Sequence, residues 1–194
     1  MTVLLVNGSP HEHGCTDAAL KHAASVLEEQ GVHTEIFWIG SKPISGACKK
    51  GLGKCCIDDV VNEFVLKAAE ADGYIFGSPV HYAAIGGAMG AFMDRAFYSG
   101  GKSMAFKPAA GVVSCRRGGA SAAFDQLNKY FTISSMPVVS STYWNHVHGN
   151  EPEEVAQDRE GLMTMYNIGK NMAWLLKCIA LGRENGLPHP DNEK

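Results

Sequence analysis

No long apolar run and no surplus of positive charge mark this sequence. A membrane-spanning helix needs roughly 18 apolar residues in succession, and nothing here approaches that. The N-terminus also lacks the basic stretch and extended apolar core of a secretory signal. A cytoplasmic protein is expected, its six cysteines reduced rather than joined in a disulfide framework. Seventeen Lys and Arg stand against 20 Asp and Glu, a net charge of −3, so there is no basic field to hold nucleic acid or anionic lipid. Composition does not shift along the chain and no internal repeat or low-complexity tract occurs. A single domain over residues 1–181 is expected, followed by a polar tail over residues 182–194.

What is present is a strand–helix alternation. The apolar run at residues 3–6 reads as a buried strand, and residues 16–30 place Leu20, Ala23, Ala24 and Leu27 at helical spacing, with Gly31 as a C-terminal cap. Residues 34–39 form a second strand, which makes a right-handed parallel crossover. An irregular insert over residues 40–57 precedes a helix at residues 58–71. Further strands are predicted at residues 73–77, 109–115 and 136–141, with helices after Tyr82, at residues 120–131 and at residues 152–181. The pattern predicts an α/β fold in three layers, a doubly wound five-stranded parallel sheet of order 2-1-3-4-5.

Ligands of such sheets bind at the carboxyl ends of the strands, and three loops there stand out: residues 8–16, 78–83 and 114–119. The first joins a buried strand to a helix through Gly8-Ser9-Pro10 and offers hydroxyls at Ser9 and Thr16 together with the free N–H groups of a helix start, an outline suited to an anion. Several anion-binding classes fail on residues. The glycines Gly8 and Gly14 do not make G-x-G-x-x-G, and the second strand ends Phe37-Trp38-Ile39 without the acidic residue that holds a dinucleotide ribose. His13-Gly14-Cys15-Thr16 lacks the P-loop lysine, and six positions beyond Cys15 and Cys115 stand Lys21 and Ser121 rather than the arginine of a cysteine phosphatase. What survives is a neutral, hydroxyl-rich loop for a monophosphate.

GSPHEHGCTDAAL, GSPVHYAAIGGAMGAFMDR and SCRRGGA, in that order and at those separations, resemble the flavodoxin-like NADPH-dependent FMN reductase family, which includes the iron-sulfur flavoproteins. The resemblance covers residues 3 to about 124 and extends to the YWNHVHG segment and the last helix. It implies that Ser9, His11, Cys15 and Thr16 contact the phosphate of FMN, with Asp17 nearer the helix start. It implies further that Pro79, Val80, His81, Tyr82 and Ala83 form the loop under the isoalloxazine ring, and that Arg116, Arg117, Gly118 and Gly119 lie at its pyrimidine side. The two arginines could place positive charge near flavin N1 or grip the phosphates of a nicotinamide donor, and as plain surface charge they would do neither. His81 and Tyr82 wall the flavin or are ordinary loop aromatics. Trp144, Asn145, His146 and His148 reach a flavin edge across a subunit interface or simply pack the final helix. Asp94 and Arg95, adjacent on a helix, are expected to pair with other partners than each other. A [4Fe–4S] site needs four thiolates in compact spacing, whereas Cys48, Cys55 and Cys56 leave a six-residue gap, an adjacent pair and no fourth local ligand, so no cluster or other metal is expected.

The function this implies is an FMN-dependent NAD(P)H oxidoreductase. With NADPH or NADH as co-substrate, it would pass electrons to a small acceptor (flavin, quinone, azo or nitro compound, or metal ion) by ping-pong hydride transfer at N5, with no side chain as catalyst. A flavodoxin-type electron carrier without NAD(P)H oxidation of its own is the rival, weakened by the arginines at the proposed flavin rim and the only mildly acidic charge. Gly86, Gly87 and Gly90 cost the third helix about 1 kcal/mol each relative to alanine. With the family's pairing habit they point to a homodimer, or a dimer of dimers.

Overall fold

The computed structural model describes residues 1–47 and 57–191. Its centre is β1 (Thr2–Asn7), buried along all but its first residue. Successive side chains alternate faces: Val3 and Leu5 join one apolar cluster, Leu4 and Val6 the other. A strand covered on both sides belongs in a parallel sheet. β1 pairs in parallel with β2 (His33–Trp38) on one side and β3 (Gly73–His81) on the other, and β3 pairs in parallel with β5 (Ala109–Cys115). The edge is β6 (His146–His148), giving the order β2-β1-β3-β5-β6. The chain reverses its direction of sheet growth between β1 and β3, so the carboxyl ends of these two strands flank the crevice where doubly wound sheets bind ligands.

Helices α1 (Cys15–Glu29) and α6 (Arg159–Glu184) share one cluster with Val3, Leu5 and Ile75. On the opposite face α2 (Val60–Glu70), α3 (Gly87–Met104) and α4 (Ala120–Ile133) enclose an aromatic core. There Phe64 meets Phe92 at 5.0 Å and Phe76 meets Phe131 at 5.4 Å between ring centroids. Arg95 is completely buried in this layer and grips the Asp59 carboxylate with both terminal nitrogens, Nη1 donating to Oδ2 at 2.6 Å. Asp94 instead accepts from the Tyr130 hydroxyl at 2.5 Å. Each member of the adjacent pair thus has a separate partner, as helix geometry requires.

The fold differs from the sequence expectation in three places. The strand expected over residues 136–141 reduces to one bridge between Val138 and Ala109. Asn145 then stands in for the missing strand: its side-chain Nδ2 donates to Gly111 O at 2.9 Å and its backbone carbonyl accepts from Val113 N at 2.9 Å. Edge pairing resumes only at β6, where His146 faces Val113. Secondly, the segment after β3 turns back before it becomes helical. β4 (Ala84–Ile85) pairs antiparallel with the end of β3 through a two-residue turn at Tyr82 and Ala83. Thirdly, the last helix is two: α5 (Pro152–Val155) and α6. Asp158 separates them because its carboxylate caps α6 at Gly161 N (2.9 Å) while also taking His148 N (2.7 Å). No helix among the described residues is long and apolar enough to cross a membrane.

Candidate FMN site at the carboxyl ends of β1, β3 and β5

The loop after β1 is wired from within. Asn7, fully buried at the strand end, accepts from Ser9 N at 3.0 Å and donates to Glu12 O at 2.9 Å. Ser9 Oγ accepts from His11 N at 3.1 Å, and Ser9 O accepts from the Trp38 indole at 2.8 Å. The first backbone bond of α1 runs from Ala18 N to Gly14 O at 3.0 Å. The N–H groups of Cys15, Thr16 and Asp17 therefore have no acceptor within the helix, and the positive end of the helix dipole lies at the same point. Thr16 Oγ1 lies 2.8 Å from Ser114 Oγ, both buried.

These groups open on a cavity of about 400 Å³. Of the residues named from sequence, Ser9, His11, Cys15, Thr16, Pro79, Val80 and Arg116 line it. Asp17 does not: its carboxylate binds Lys21 Nζ at 2.7 Å and lies 3.5 Å from His13 Nδ1, leaving its backbone N–H as the group directed to an anion. His81, Tyr82 and Ala83 lie outside the lining, exposed on the β3–β4 hairpin. Arg117, Gly118 and Gly119 also lie outside it, although Gly119 packs so closely on the hairpin that a Cβ there would sit 2.7 Å from Ala83 Cα. The 80–83 and 116–119 loops are thus in mutual contact.

Several lining residues were not among the expected contacts, although His13, Gly14, Ser114 and Gly149 stand within the quoted motifs. His13 and Gly14 belong to the first loop, Ser114 ends β5, and residues 149–152 form a flank that arrives from beyond β6. That flank is tied to the cradle by Cys15 Sγ, which donates to Gly149 O at 3.6 Å, and by Gly149 N, which donates to Cys115 O at 3.2 Å. Burial raises the Cys15 thiol above its ordinary pKa; the residue's own backbone N–H works against this, and Glu154, Glu153 and Glu151 add to the rise. It is a neutral donor here and not a thiolate. Within YWNHVHG only Gly149 lines the cavity. Asn145 is spent on Gly111, and His146 is buried against the edge of Phe124, ring centroids 5.5 Å apart. Burial, helped by His148, lowers the pKa of His146 and keeps it neutral. Tyr143 and Trp144 are exposed. Cys48, Cys55 and Cys56 lie outside the described residues; Cys15, Cys115 and Cys178 are free thiols. Among the described residues no cluster of His, Cys, Asp or Glu could hold a metal ion.

The donors present suit the phosphate of FMN: spare helix N–H groups, buried hydroxyls and no lysine, in a cavity whose other walls are Pro79, Val80 and Arg116. A second cavity of about 420 Å³ beside the C-terminal segment is lined by Phe106, Leu175, Ile179 and Leu187, with Arg183 as its one charged residue, and offers no such convergence.

Comparison with known proteins agrees. An iron-sulfur flavoprotein of Methanocaldococcus jannaschii is 32% identical over 195 residues, covering 92% of this chain and 99% of the relative. Two solved structures share the fold at low identity. RosB, with bound 8-demethyl-8-formylriboflavin-5'-phosphate, has a TM-score of 0.77 at 14% identity, over 100% of this chain and 90% of that one. An NADH:FMN oxidoreductase in its apo form has a TM-score of 0.68 at 16% identity, over 90% of this chain and 89% of that one. Residues 1–151 match the family described as NADPH-dependent FMN reductase, and with the cradle, cavity and sheet order in agreement, the chain belongs to that FMN-binding, flavodoxin-like family.

Proposed function

We propose that this protein is an FMN-dependent NAD(P)H oxidoreductase serving a small acceptor such as a flavin, quinone, azo or nitro compound, or metal ion, in a ping-pong cycle. FMN held here would supply the redox chemistry, hydride acceptance at N5 and release of the electron pair to the acceptor. Ser9, His11, Cys15 and Thr16 hold the phosphate by hydrogen bonds, and residues 149–152 shield its flank. The flavin 5'-phosphate compound bound by RosB, which shares the fold, supports a flavin phosphate as the ligand. Pro79 and Val80 wall the ring, and the exposed Arg116 supplies positive charge at its pyrimidine edge or to a nicotinamide's phosphates. No side chain acts as acid or base; the residues position the two rings, which supplies much of the acceleration.

The carrying observation is the convergence of the α1 N-terminus and the ends of β3 and β5 on one cavity of about 400 Å³. The test is anaerobic stopped-flow mixing of the flavin-loaded protein with NADPH and with NADH. Bleaching of the flavin band by either is expected; flavin that stays oxidised with both would reduce the protein to an electron carrier. We also propose that copies pair through α3, where Gly87, Ala88 and Tyr98 are exposed. Sedimentation should show a dimer or a dimer of dimers, and a monomer at micromolar concentration would remove that interface.

A further inference from the structure

We propose that Ser114 is a positioning residue for the cofactor phosphate, acting through Thr16 to fix the direction of the hydroxyl in the cradle; this rests on the FMN reading above. Thr16 lies in the first turn of α1 and Ser114 at the end of β5, yet their hydroxyl oxygens are 2.8 Å apart with 1% and 5% residue exposure. Strand β3 lies between β1 and β5. The threonine can lean across it because the strand is bare at Gly77, where a Cβ would fall 2.8 Å from Thr16 Cγ2. The glycine, the threonine and the serine, on three different elements, form one device.

Hydroxyl arithmetic gives the device its direction. Each hydroxyl has one proton to donate and can accept. One of the two protons is consumed between Thr16 and Ser114, and one remains for a ligand. The spare backbone donors of Cys15, Thr16 and Asp17 gather at the helix start, so an anion sits on the Thr16 side. Ser114 then donates to Thr16, and Thr16 donates to a phosphate oxygen. A hydroxyl that accepts one bond while donating another is also the better donor. Without Ser114, Thr16 would keep its place but lose the partner that holds its proton toward the ligand.

The test is fluorescence titration of the full-length, flavin-stripped chain with FMN and with riboflavin, which has the same ring and ribityl chain but no phosphate. Thr16→Ala is expected to weaken FMN binding by about 10- to 100-fold, the loss of a hydrogen bond to a charged group, and Ser114→Ala by about 5- to 10-fold. Three results make up the expected signature. Riboflavin affinity stays within about twofold throughout, the double variant binds FMN no worse than Thr16→Ala alone, and the phosphorus resonance of bound FMN shifts in Ser114→Ala. Ser114→Cys, similar in volume and a weak donor, serves if the alanine variant does not fold. Losses that multiply in the double variant would make Ser114 an independent contact, equal loss of riboflavin would place it at the ring or ribityl chain, and unchanged FMN affinity would leave it structural. Each overturns the positioning role. A wild-type chain that binds neither flavin would instead bring down the FMN reading itself, a result distinguishable from these.

Discussion

The loop proposed to hold the phosphate and the loops proposed to flank the ring lie at the same end of the sheet and are built in opposite ways. In the cradle, Asn7, Ser9 and Trp38 fix the backbone with hydrogen bonds of 2.8–3.1 Å, and little is left to adjust. On the ring side, Tyr82 and Ala83 take φ of 52° and 59° in a hairpin turn whose left-handed positions favour Asn and Gly. Tyr82 is fully exposed, and Arg116, Arg117 and Gly118 are exposed with it. One region is a finished anchor. The other holds about 1–2 kcal/mol of backbone strain per residue and presents its side chains outward, as suits loops completed by contact with a ring, a co-substrate or a second subunit.

This contrast can be broken or sharpened by substitution. The largest effect is expected from Gly8→Ala, whose new Cβ would meet Met89 Sδ at 2.5 Å and the backbone Gly77 O at 2.8 Å. Overpacking of that kind should cost about 3 kcal/mol in denaturant unfolding. Asn7→Ala leaves Ser9 N and Glu12 O without their partner. It should cost about 2 kcal/mol and weaken FMN binding in titration; unchanged affinity would mean the anchor is not preformed. On the ring side the sign reverses. Ala83→Gly relieves a left-handed residue and should stabilise the protein by about 0.5–1 kcal/mol, allowing for glycine's own entropy, with FMN affinity kept.

The smallest effect concerns His146, on the strand leading to the flank. Its pKa is lowered by burial, so the unfolded chain binds its proton first as pH falls. Its contribution is fully present above about pH 6.5, the ordinary histidine value. It is lost as pH drops from there through the native pKa. Unfolding curves measured across that range should show the slope in wild type and not in His146→Gln.

The cradle was legible in the sequence because its parts are contiguous: a four-residue apolar run, a Gly-Ser-Pro turn and a helix start lie within seventeen residues. The hairpin was not, since Tyr82-Ala83 has none of the turn chemistry its geometry requires. The edge strand misled for a related reason. Residues 136–141 contain Met136, Val138 and Val139 and look like a strand, while the residues that pair with β5 read His-Val-His, with one apolar side chain. Asn145, which substitutes a side-chain amide for a backbone group, has no pattern that marks such a role. Ser114 stood inside the SCRRGGA motif, but its bond to Thr16 across Gly77 joins residues 98 positions apart and has no local pattern. Residues 149–152 were hidden by distance, their nearest cradle tie spanning 134 positions.

That span makes the cavity a long-range construction. The free helix N–H groups come from the first elements of the chain, whereas the flank beside them lies between β6 and α5. Closing so long a loop is among the slower steps a chain of this topology must take. The cavity is thus closed by a contact between segments far apart in sequence, and local opening of that contact would turn it back into a helix end facing water. Loss of a bound cofactor would then report on undocking of the flank.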